Sequence, residues 1–170
     1  MEKVKSLIFK KEIALTLVKF TALIGIATLA PLIGQQAIAG PIVNAVLFIS
    51  VILLGPQSAI LAGLVPSLIA LSVGLLPAIL APMIPFIMMG NTILVITFDY
   101  LRKRNFWLGV ISASVLKFLF LFGANSIVIN LIIKEEIAQK IAMTMSYPQL
   151  LTALAGGLIA YLFLKSIKRA

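Results

Sequence analysis

The chain has 170 residues, of which 62% are hydrophobic and 11% charged, with a mean hydropathy of +1.18. A water-soluble domain carries about 45–50% apolar and about 25% charged residues, and at this size much of its surface stays wet. A soluble fold is therefore excluded, and lipid must be the solvent. The 14 Lys/Arg against 5 Asp/Glu give a formal charge of +9. In this setting the excess marks cytoplasmic helix ends and not nucleic-acid binding.

The chain contains neither Cys nor His. Disulfides, thiolate and imidazole metal sites, iron–sulfur clusters and the usual general base are thereby excluded, and no metal or cofactor is expected. No G-x-x-x-x-G-K-[ST] loop occurs, so nucleotide hydrolysis of the P-loop type is excluded. Energised work must draw on an ion gradient or on another chain.

Apolar runs near 20 residues cross the hydrocarbon core as helices. They are read over 13–33, 41–54, 57–76, 78–101, 106–133 and 147–164. Gly55-Pro56 divides the second from the third, because Pro is a poor residue for a helix interior. The second run is short, so a broken or tilted helix is expected there. The fold class is thus an all-α integral membrane protein with six transmembrane helices in a single domain over 1–170.

Charge placement tests that count. Lys3, Lys5, Lys10 and Lys11, the Arg102-Lys103-Arg104 loop, and Lys165, Lys168 and Arg169 all fall on one side of six helices. The other side holds Lys134 and Lys140 beside Glu135 and Glu136. Ten basic residues against two put both termini in the cytoplasm, in the cell (plasma) membrane. Ala37-Ile38-Ala39 mimics a signal-peptidase site. However, the preceding apolar run exceeds the usual core of about 7–15 residues and contains Lys19, so helix one is expected to stay uncleaved.

Polar groups at membrane depth are costly, and each is a functional candidate. Lys117 lies 11 residues past Phe106, about 16 Å deep at 1.5 Å per residue and hence near the midplane. Ser114, Lys117, Leu121 and Asn125 share one helix face, within about 80° at 100° per residue. Lys117 serves either as a positive site for a carboxylate-bearing ligand, or as a lysine satisfied by backbone carbonyls of a broken helix or deprotonated by burial. Asn91 lies at the matching depth on the fourth helix.

Just outward of Asn91, Pro77, Pro82 and Pro85 leave carbonyls without helical partners. Such backbone at membrane depth is tolerated where protein covers it or where it lines a cavity. Gln35, Gln36, Asn44 at the start of helix two and Asn125 lie on the outer side. With Asn91 and Lys117 they suggest a polar funnel open outward. Thr21, Gly25 and Thr28 form a small-residue stripe on helix one, suited to close approach by another helix.

In architecture, and in Gln35-Gln36 through Gly40-Pro41, Leu54-Leu-Gly-Pro56 and Pro85-Phe-Ile-Met-Met-Gly-Asn91, the chain resembles the substrate-binding S components of energy-coupling-factor (ECF) transporters. That resemblance implies a pocket near the outer face for a vitamin or related micronutrient. It also implies association with a membrane coupling subunit and cytoplasmic ATPases supplied by other chains. The Ala-x-x-x-Ala coupling pattern of the family is absent from helix one, and Thr21/Gly25 is its nearest equivalent. A stand-alone ion-coupled carrier and a structural or assembly protein without ligand are the alternatives. An enzyme is not expected, because no intramembrane acid/base pair can be assembled.

Overall fold

A computed structural model describes residues 2–72, 78–131 and 146–169. Among them every regular element is helical: α1 (Glu2–Leu29), a 3-10 turn (Ala30–Ile33), α2 (Gln36–Leu54), α3 (Pro56–Ser72), a second 3-10 turn (Ala78–Met83), α4 (Ile84–Leu101), α5 (Phe106–Leu131) and α6 (Tyr147–Ser166). Pro77, Lys134, Glu135, Glu136 and Lys140, with the predicted ends of the third and fifth spans, lie outside the described residues.

Among the described residues, five segments are long and apolar enough to cross a membrane: Lys11–Ile33, Gln36–Leu54, Ala81–Leu101, Phe106–Ser126 and Tyr147–Ser166. The apolar stretch of α3, Pro56–Ile69, is shorter. The second span, expected to be short, is thus long enough to cross, and the described part of the third is α3. Its 17 residues extend about 26 Å, against a hydrocarbon core of about 30 Å. The second span gains length because α2 starts ahead of Pro41 and runs through it. A proline near a helix start forfeits only one backbone bond, here the one to the Ala37 carbonyl.

The expected break at Gly55-Pro56 is present. Gly55 has φ 88°, a left-handed value that favours glycine, and Pro56 opens α3 at the position where its fixed φ suits a helix. The proline-rich stretch before α4 takes the tighter 3-10 form over Ala78–Met83, so α4 is shorter than its predicted range.

Close contacts fix the helix directions. A Cβ on Gly40 would meet Thr152, and one on Gly156 would meet Asn44 and Ala45. Residue numbers rise together along that seam, so α2 and α6 are parallel. Phe98 lies 4.7 Å from Phe48 and 5.4 Å from Phe106, ring to ring, and Gly90 abuts Leu121. Hence α4 runs antiparallel to α5. Trp107 packs against Tyr161 and Phe118 against Tyr147, so α5 is also antiparallel to α6. Consequently the Leu54, Leu101 and Ser166 ends gather at one end of the bundle with Phe106.

The core is made by Leu47, Phe48 and Val51 of α2, Leu94, Val95 and Phe98 of α4, Val110 and Ala113 of α5, and Ala153 and Ala160 of α6. Leu and Ile side chains face outward on every long helix, as expected when the surrounding solvent is itself apolar. Helix α1 is the most peripheral, with 17% of its spanning window buried against 44% for α2.

Helix α6 ends in a Schellman turn. The Arg169 N–H donates to the Leu164 carbonyl at 2.8 Å, and the Lys168 N–H to the Lys165 carbonyl at 3.1 Å. Lys168 holds the left-handed position at φ 55°, where a side chain costs about 1–2 kcal/mol that glycine avoids.

Candidate functional site

The site is a hydrogen-bonded polar cluster in the middle of the bundle. Lys117 Nζ donates to Asn44 Oδ1 at 2.7 Å and to Asn91 Oδ1 at 2.8 Å. Each amide is fixed from behind: Asn44 Nδ2 donates to the Gly40 carbonyl at 2.9 Å, and Asn91 Nδ2 to the Gly63 carbonyl at 2.9 Å. Lys117, Asn44 and Asn91 are 3%, 2% and 4% exposed. Four helices thus meet on one side chain, α2, α4 and α5 directly and α3 through Gly63.

Local sequence explains the placement. Asn91 is 10 residues before Leu101 and Lys117 is 11 after Phe106, and antiparallel packing of α4 on α5 brings those equal depths together. Gly63 lets Asn91 approach α3, since an added Cβ there would sit 3.1 Å from Asn91 Cβ. Gly156 does the same for α6 against Asn44, where an added Cβ would sit 2.7 Å from Asn44 Cβ and 2.9 Å from the Pro41 carbonyl. Asn44 lies in the interior of α2 and not at its start, because the helix begins at Gln36.

The electrostatics are unusual for a buried lysine. The only ion pair among the described residues is Asp99 with Arg102, 2.8 Å apart at the far end of α4. Among the described residues Lys117 therefore has amide oxygens and no carboxylate as partners. A charged lysine carries three N–H donors, and the two asparagines take two of them. Dipoles held by backbone carbonyls polarise one another and strengthen such a network.

Along α5 the predicted stripe is buried throughout: Ser114, Lys117, Leu121 and Asn125 are each at most 5% exposed. Ser114 Oγ and Asn125 Oδ1 are buried with no hydrogen-bond partner, as are Ser50 Oγ of α2 and Thr28 Oγ1 of α1. Ser114 is three residues before Lys117 and Asn125 eight residues after it, and neither hydrogen-bonds to the cluster.

A second feature lies at the start of α2 and α6. A cavity of about 480 Å³ opens between the first turns of α2 and α6, lined by Gln36, Ala37, Pro41, Pro148, Leu151, Thr152 and Ala155. Gln36 lines it, whereas Gln35 is exposed beside it. Lys117, Asn91, Asn44 and Asn125 are absent from its walls. The α2–α6 seam adjoining this cavity is closed by the Gly40–Thr152 and Asn44–Gly156 contacts. Met83 is fully buried in the bundle and Met89 is exposed.

On α1, Thr21 is exposed, Gly25 and Thr28 are half-buried, and an added Cβ at Gly25 would meet nothing within 4 Å. Among the described residues, no helix uses that glycine for close approach. Gly40, Gly63, Gly156 and Thr152 were not foreseen as parts of the site. The Gly156-Gly157 pair, one turn beyond Thr152 in an apolar run, is the sequence signal that points to them. Known protein families give no match to the chain, and neither curated protein sequences nor solved structures match it.

Proposed function

We propose that the protein is the membrane-embedded substrate-binding subunit of an ECF-type importer for a small, carboxylate-bearing micronutrient. Lys117 is the ligand-directed charge and Asn44 and Asn91 are its positioning residues. The observation that carries this reading is a mid-membrane lysine held by two backbone-anchored amides, with no carboxylate beside it among the described residues. A structural lysine is expected to pair with an acid or with free backbone carbonyls. An amide-only setting leaves the positive charge to be balanced by a ligand carboxylate. Opening of the α2–α6 seam would connect the outer cavity to Lys117.

In this proposal both termini are cytoplasmic, with the basic ends of α4, α5 and α6 facing inward. A coupling subunit and ATPases on other chains supply the energy, and the half-exposed Thr21, Gly25 and Thr28 face of α1 is the surface for them. No catalytic step is assigned.

The competing reading is a sealed structural clasp, favoured by the near-complete burial of Lys117. Native mass spectrometry of protein purified from its own host separates the two. A retained small acid, with Lys117→Ala and Asn91→Ala each weakening its binding tenfold or more (about 1.4 kcal/mol), is the expected result. A ligand-free protein in which Lys117→Leu raises or preserves thermal stability would establish the clasp instead.

A further inference from the structure

At the end of the bundle where α4, α5 and α6 meet, an aromatic and cationic corner has, among the described residues, no acidic partner beyond the Asp99–Arg102 pair. Asn105 Oδ1 accepts the Trp107 and Leu108 N–H groups at 2.8 and 3.1 Å, and the Arg104 N–H donates to the Leu101 carbonyl at 3.0 Å. The turn bearing Lys103 and Arg104 is thereby fixed. Trp107 lies 5.0 Å from Tyr161, ring to ring, and Lys165 Nζ sits 5.9 Å over the Tyr161 ring. Those contacts place the turn next to the end of α6.

There the Schellman turn folds Lys168 and Arg169 back over the helix terminus, with lysine in the left-handed position that glycine would fill without strain. Lys103, Arg104, Lys165, Lys168 and Arg169 are all exposed. Asp99, the acid of this corner, is already taken by Arg102. Exposed Leu108, Leu162 and Phe163 continue the surface away from the charges.

An apolar wall topped by aromatic rings and a fixed set of cations matches the amphiphilic shape of an anionic lipid. We propose that this corner binds the phosphate headgroup of an anionic phospholipid, with the acyl chains against α5 and α6. The cations contact the phosphate, and Tyr161 and Trp107 sit at headgroup level. The site is independent of Lys117 and of any transported ligand.

Trp107 is the single tryptophan of the chain and lies inside the proposed site, so it reports occupancy directly. The protein is reconstituted in phosphatidylcholine vesicles containing either brominated phosphatidylglycerol or, at the same mole fraction, brominated phosphatidylcholine. We expect Trp107 to be quenched about threefold or more efficiently by the anionic lipid, given the strength of cation–headgroup attraction. This preference should shrink as salt is raised. The double variant Lys165→Gln, Lys168→Gly should bring the ratio close to one. Lys168→Gly also relieves the backbone, and the exposed pair Lys103→Gln, Arg104→Gln provides a second test should that variant fold poorly. Equal quenching by the two lipids in the unaltered protein, or a preference untouched by either pair of substitutions, would overturn the proposal.

Discussion

Asn91 has two duties: its Oδ1 accepts from Lys117 and its Nδ2 donates to the Gly63 carbonyl. Replacing it with alanine removes both bonds and leaves the buried Lys117 amine one acceptor short, at about 1–3 kcal/mol. Asn91→Ala should therefore lower the thermal unfolding midpoint in detergent clearly more than Thr92→Ala. The comparison is controlled, because the Thr92 hydroxyl bonds only to the Met88 carbonyl of its own helix. A midpoint equal to that of Thr92→Ala would show that the cluster adds nothing to stability. Residue by residue, much of this cluster was legible beforehand. The depth of Lys117 and Asn91 follows from counting along two helices joined by a short basic loop, and the α5 stripe follows from its periodicity. Asn44 was misplaced because Pro41 looked like a helix start, and proline chemistry alone cannot distinguish the first turn from the second.

Among the elements, the α2–α6 seam is the tightest packing and was the least visible in advance. Parallel neighbours far apart in sequence leave no local trace beyond small residues, and α1 carries small residues too. Contact geometry separates the two cases. A methyl at Gly156 would press on Asn44 Cβ at 2.7 Å and on the Ala45 nitrogen at 2.8 Å, and the latter is backbone that cannot step aside. Gly156→Ala should destabilise by about 1–3 kcal/mol, the usual cost of overpacking. Gly25→Ala meets open space and should be neutral or stabilising by up to about 1 kcal/mol through helix propensity. Thermal unfolding of the two variants side by side checks this, and equal effects would contradict the seam.

For the whole molecule, the parallel course of α2, α4 and α6 gathers the Arg102–Arg104 turn and the Lys165–Arg169 tail at one end. The absence of cysteine makes single-cysteine labelling direct. Lys103→Cys and Arg169→Cys should react with a membrane-impermeant maleimide only once the inner face is exposed, and Gln35→Cys should react in intact cells. Labelling of Lys103→Cys and Gln35→Cys from the same side would contradict the proposed topology. The Lys117 cluster also bears on how such a bundle is built. Its donor lies 73 residues after one acceptor and 26 after the other. Both amides are therefore synthesised before the amine. A lysine at mid-depth on a helix arriving alone costs about 2.5–3.5 kcal/mol, and a waiting pair of oxygens reduces that cost. Chain order thus places the acceptors first, so that the fifth helix meets a partly assembled bundle ready to receive its one difficult side chain.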